Sequence, residues 1–140
     1  MRAALAFVVA GSLAACSAPA DEVATAQMAL STTSGLSPSD VAAVEILVFD
    51  GATGGCARVL AGSSPLDDSG LAVVAHALFT VDGTPKHLAI PAGKPLDFYA
   101  EAFATTAPNR MRIGRGCVTE TLAAGSSTGV SIVLGASSND

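Results

Sequence analysis

A single all-β domain, a small β-sandwich of about seven strands, is what this 140-residue chain predicts. Three observations predict it. Between residues 41 and 134 short apolar runs alternate with turn clusters. No segment there sustains the i, i+3, i+4, i+7 spacing with caps that a helix of useful length needs. The turns also recur at roughly even intervals, as they do in sandwiches and barrels. The length suits one ordinary domain and is too short for two with separate cores.

The strands follow in order. In Val44-Glu45-Ile46-Leu47-Val48-Phe49, alternation sends Val44, Ile46 and Val48 to the core and Glu45, Leu47 and Phe49 to a partly covered face, and Asp50-Gly51 stops the run. A second, short strand is expected at 56–60, before the loop Ser63-Ser64-Pro65-Leu66-Asp67-Asp68-Ser69-Gly70. The long third strand, 71–81, is rich in Val, Leu and Phe. Its alanines also allow a buried helical turn, and length with the bracketing glycines favours strand. His87-Leu88-Ala89-Ile90-Pro91 makes a short strand closed by Ala92-Gly93. From 96 to 104, Leu96, Phe98, Ala100 and Ala102 alternate with Asp97, Tyr99, Glu101 and Phe103. Ala107-Pro108-Asn109 turns the chain, and 111–122 returns it through Gly114 and Gly116. Ala124-Gly125-Ser126-Ser127 turns it into the last strand, with Val130, Ile132, Val133 and Leu134. The order suggests Greek-key wiring without fixing it, and no period repeats.

Ahead of this body, Arg2 supplies a positive n-region, and 3–10 with Leu13 supply an apolar stretch well short of the ~20 residues of a spanning helix. Leu13-Ala14-Ala15-Cys16 resembles the lipobox of bacterial lipoproteins: a large aliphatic residue, two small ones that fit the signal peptidase, then cysteine. The resemblance implies a signal peptide over 1–15, diacylglycerol on the Cys16 thiol and cleavage just before Cys16. Two or more acyl chains, at ~0.8 kcal/mol per buried CH₂, hold durably where one does not. The residues leave one alternative open, an ordinary secretory peptide cut near Ala15 or Ala18 with Cys16 incidental. Ser17 stands where an Asp would favour inner-membrane retention, so the resemblance implies the outer membrane, on its periplasmic or cell-surface face.

Residues 16–39, rich in Ala, Ser, Thr and Pro, read as the lipidated cysteine and a flexible tether. A short helix over 21–30 would bury little, since its apolar stripe is mostly alanine. About 23 flexible residues reach roughly 25 Å. The sandwich is expected over 40–135 and a disordered tail over 136–140.

Composition narrows the partners. The chain holds 7 Lys+Arg and 12 Asp+Glu, and the leader contains Arg2 and no acid, so the mature chain carries six basic against 12 acidic residues, a net −6. An acidic body argues against nucleic acid. With no Trp and 4% aromatics, few flat side chains remain for stacking on a sugar or base. With Cys16 taken by lipid, Cys56 and Cys117 remain as an even pair in an exported body, where a disulfide is the favoured state. A thiol pair for redox or metal chemistry would want C-x-x-C spacing or clustered histidines.

The candidate chemistry is thin. Gly125-Ser126-Ser127-Thr128-Gly129 has the letters of the G-x-S-x-G nucleophile elbow, with Ser127 as nucleophile. That elbow needs a following helix and a later histidine; here a strand follows and no histidine does, so a polar turn is preferred. His76 and His87 could meet across a hairpin at 82–85 and begin a metal site, but a third ligand is missing. Asp67-Asp68-Ser69-Gly70 lacks calcium-loop spacing and reads as a turn. Arg110, Arg112 and Arg115 form the one basic concentration, a solvated face or a site for an anionic glycan or acidic partner. For Glu101 and Glu120, a glycosidase-like carboxylate pair has no specific support.

The succession Ala89-Ile90-Pro91-Ala92-Gly93, Phe98-Tyr99-Ala100-Glu101-Ala102-Phe103, Gly116-Cys117, then Ala124-Gly125 leading to Val130-Ser131-Ile132-Val133-Leu134 resembles small surface lipoproteins of Gram-negative bacteria. These carry a single prealbumin-like or immunoglobulin-like sandwich, and the resemblance covers 41–134. It implies the fold and says little of function.

The expected function is therefore a membrane-anchored, non-catalytic interaction or structural module of the bacterial cell envelope, with no cofactor. Its partner would be an envelope protein or glycan, met through an edge strand or, preferably, through the loops around Asp67, Asp68 and Arg110. The alternatives are a ligand-binding accessory subunit that receives a glycan or metal for a transport system, and, less favoured, a hydrolase using Ser127. The oligomeric state is left open.

Overall fold

The computed structural model describes residues 22–62, 67 and 70–137. Along the chain run β1 (Val23–Thr32), β2 (Ala43–Asp50), the helix α1 (Gly55–Leu60), β3 (Val73–Thr80), β4 (Lys86–Pro91), β5 (Pro95–Phe103), β6 (Arg112–Thr121) and β7 (Ser127–Ala136). The seven strands form one sheet in the order β3-β2-β5-β6-β7-β1-β4. Every neighbouring pair is antiparallel except β1 and β7, which run parallel.

The sheet turns over between β6 and β7, whose ladder holds only Gly114 with Ala136 and Arg115 with Gly135. A Cβ on Gly116 would collide with the Val133 carbonyl, so only glycine lets β7 pass this close. Beyond the corner, β4-β1-β7 faces β3-β2-β5-β6 across one apolar core. Ala24 and Ala26 of β1, Ile90 of β4 and Val130, Ile132 and Leu134 of β7 meet Val44, Ile46 and Val48 of β2 and Leu96, Phe98, Ala100 and Ala102 of β5. The period-2 alternation assigned to β2 and β5 is the one observed. A nearly closed all-β sandwich results, with β3 and β4 as its two edges, joined to each other by 81–85.

Three expectations need correction. The span 23–32, assigned to the tether, is β1, a strand paired on both sides. Its alternation is of small residues, with Ala24, Ala26 and Met28 inward and Thr25, Gln27 and Ala29 outward, and alanine by itself signals a helix former with little to bury. The span 56–60, expected as a strand, lies in α1; Gly54, at φ +65°, turns the chain out of the line of β2. The number of strands therefore agrees while their membership does not. Finally, β7 runs through Ala136, and the Ser137 N–H donates to the Ile113 carbonyl at 3.0 Å, so the sheet extends into the expected tail. The leader, Cys16 and Asp68 lie outside the described residues. Among the described residues no helix is long and apolar enough to cross a membrane.

Candidate functional site

The outer face of β3-β2-β5-β6 is divided between a helix and a charge cluster. On one half, Leu47, Phe49 and Tyr99 of the sheet pack against Val59 of α1 and Leu71, a second apolar cluster separate from the core. Six residues are too few for a helix to stand alone, and the sheet grips this one at three points. The buried Asp97 carboxylate accepts from the Cys56 N–H at 3.0 Å and from the Thr119 hydroxyl at 2.5 Å. Arg115 donates to the carbonyls of Val59 and Leu60 at 3.1 Å each, at the end where α1 leaves carbonyls unpaired. The Cys56–Cys117 disulfide ties α1 to β6, with the Cα atoms 5.5 Å apart across 61 residues of sequence. Such a loop closure is worth about 4 kcal/mol in the chain-entropy model.

On the other half, Glu45 of β2 and Glu101 of β5 are directly opposed cross-strand partners. Two like charges so placed repel, and each is met by its own arginine. Arg110 donates to Glu45 at 2.8 Å and lies over the Phe103 ring, 4.4 Å from its centroid. His76 pairs with the other oxygen of Glu45 at 2.6 Å. Arg112 and the Tyr99 hydroxyl donate to the same oxygen of Glu101, at 3.1 and 2.6 Å. Burial first, then the neighbouring Glu101, pushes the Tyr99 phenol well above its ordinary range. The arrangement is a charge-balanced clamp that pins the 104–111 loop to the sheet.

The residues singled out from sequence thus divide. Arg110, Arg112 and Arg115 share one face, but each is engaged by the chain itself, as an ion-pair partner or a helix cap, rather than displayed as an open basic patch. His76 and His87 do not share a hairpin ladder: β3 pairs with β2 and β4 with β1, placing the two rings on the outer faces of the two facing halves of the sheet. Glu120 is opposite core-facing Leu96, on the other face of the sheet from Glu101, so the carboxylates that meet are Glu45 and Glu101. Asp67 is exposed in the α1–β3 connection. Ser127 opens β7 and accepts from Gln27 at 2.7 Å, behind a turn in which Gly125 has φ +69° and Ser126 bonds the Ala123 carbonyl.

Sequence reasoning missed the cleft at the open edge. Where β3 turns into β4, Met28, Leu30, Val44, Phe79, Val81 and Lys86 line a hollow of about 260 Å³. Large apolar side chains stand exposed around this end of the sandwich, Leu78 at 53%, Val81 at 47% and Met111 at 64%. The signal lay in β1, since Met28 and Leu30 become a cleft wall only once 23–32 is a strand.

No protein-family model matches the chain, and no curated protein matches it. Among solved structures, an alternative pilotin from the type II secretion system of Vibrio cholerae aligns with a TM-score of 0.45 and 12% identity, covering 82% of this chain and 97% of that one. A likeness of this size falls short of a shared fold, and the functional reading rests on this chain's own residues.

Those residues offer a rigid outer face and an open edge. The edge has unpaired backbone groups on β3 and β4, apolar walls and one flanking cation, Lys86, which is tied to Asp82 at 3.0 Å. An apolar centre with a polar rim is the make-up of a protein-docking surface.

Proposed function

We propose that the chain is a lipid-anchored, non-catalytic interaction module of the bacterial cell envelope, held at the outer membrane through Cys16 and engaging a partner protein at the open β3/β4 edge. The observation that carries this reading is the partition of the three cysteines. Cys56 and Cys117 are joined, a bond that lasts in an oxidising compartment. Cys16, at the end of Leu13-Ala14-Ala15, is left for acylation. A protein rather than an anionic glycan is favoured because the chain's own groups already engage Arg110, Arg112 and Arg115. The tests are direct. Cys16→Ser abolishes palmitate labelling and membrane fractionation; unchanged labelling would refute the anchor. A photo-crosslinking residue in place of Val81 yields a discrete protein adduct in cells, while the same residue at Ser131, on the outer face of β7, yields none. Equal adducts from both positions would rule out the edge as the docking site.

A further inference from the structure

We infer that one end of the sandwich is a bilayer-apposed surface, whose partner is the lipid headgroup layer, and that the docking cleft opens toward the opposite end. The inference rests on the reading of Cys16 as lipidated. It starts from where β1 begins. Val23 follows Cys16 by seven residues, and seven residues span at most about 24 Å fully extended. The domain is therefore leashed far more closely than a tether running to residue 39 would allow.

The end of the sandwich at Val23 is a knitted surface. The Glu22 carbonyl accepts from the Ala92 N–H at 2.7 Å, and the Val23 carbonyl accepts from the Gly125 N–H at 3.0 Å. The Gly93 N–H donates to the Leu122 carbonyl at 2.8 Å, so the chain entry and both turns, 92–94 and 123–125, are bonded to one another. The side chains of the two turns are small, Ala92, Gly93, Ala123, Ala124 and Gly125, with Val23 exposed at 53% beside them. Of its charges, Lys94 is held by Asp50 at 3.0 Å, while Glu22 at the entry and Glu120, across the ladder from Leu96, stand exposed. Chain length rather than charge therefore brings this end to the headgroups. The ten residues of β1, rising about 3.3 Å each, carry the other end roughly 30 Å away. That end bears Asp82, Arg110, Met111 and the open cleft.

The test uses the full lipidated chain, purified from membranes and reconstituted into phosphatidylcholine vesicles carrying a headgroup-attached quencher. With Cys16 acylated and Cys56 bonded to Cys117, a cysteine introduced as Ala124→Cys or Asn109→Cys is the single labelling site for a fluorophore. Quenching at 124 is expected to exceed that at 109 several-fold, and equal quenching would overturn the inference. Inserting twenty Gly/Ser residues after Ala18 brings the ratio toward one; an unchanged ratio would overturn the claim that chain length sets the orientation. Failure of the unlabelled protein to float with vesicles would instead indict the lipid anchor, so the two failures are distinguishable.

Discussion

At the level of single residues, stability on the outer face depends on keeping Glu45 and Glu101 separately neutralised. Arg110→Met removes one of the two partners of Glu45, leaving His76, and the cation over Phe103 while keeping an apolar stem. A loss of about 1–2 kcal/mol in urea unfolding is expected, less than for a fully buried pair because part of the guanidinium remains in water. A double-mutant cycle with Glu45→Gln should return a coupling near 1 kcal/mol, and additive losses would mean that the pair contributes nothing. Tyr99 sets an alkaline limit. The unfolded phenol ionises near pH 10, whereas the folded one keeps its proton to higher pH. Above pH 10 the native state therefore holds the extra proton, and stability falls as pH rises. Tyr99→Phe should flatten that slope in unfolding midpoints measured from pH 9 to 11. On the acid side, the Ala52 N–H and then Lys94 hold the Asp50 carboxyl below the usual range, and the Thr84 hydroxyl and N–H, with Lys86, do the same for Asp82. Their contribution is present above pH ~4 and lost as pH falls through the folded values. Asp50→Asn with Asp82→Asn should make the acid limb shallower.

The individual elements show which parts of the fold were legible. β2 and β5 were, because large apolar residues alternate with charged or aromatic ones, and the Glu45 and Tyr99 faces fall where period 2 puts them. β1 was not, because its inward residues are mostly alanine. Alanine signals neither strand nor core by itself, and only the narrow space against β4 and β7 makes it the right size. α1 was not legible either, because what makes it a helix lies elsewhere in sequence, in Asp97, Arg115 and Cys117. The charge cluster was legible residue by residue but not as pairs, since the register that opposes Glu45 to Glu101 is a tertiary fact. Two measurements follow. Mild proteolysis should leave a resistant fragment starting near residue 22, whereas a start between 31 and 41 would return β1 to the tether. Gly116→Ala should lose about 1–3 kcal/mol, because the added methyl meets the Val133 carbonyl.

At the scale of the whole molecule, the proposed anchor and the proposed docking cleft lie toward opposite ends of the sandwich: β1 enters at Val23 beside Pro91, and the cleft opens where β3 turns into β4. The disulfide and the anchor are two halves of the same claim, and trypsin places them on one species. Arg58 is the first basic residue after Cys16, and Arg115 immediately precedes the peptide that contains Cys117. Mass spectrometry of a non-reduced tryptic digest of the membrane-extracted protein should therefore find peptide 16–58, bearing diacylglycerol on Cys16, linked to the peptide that starts at Gly116 and released from it on reduction. A peptide that is unmodified at Cys16, or two peptides with free Cys56 and Cys117 thiols, would contradict the account.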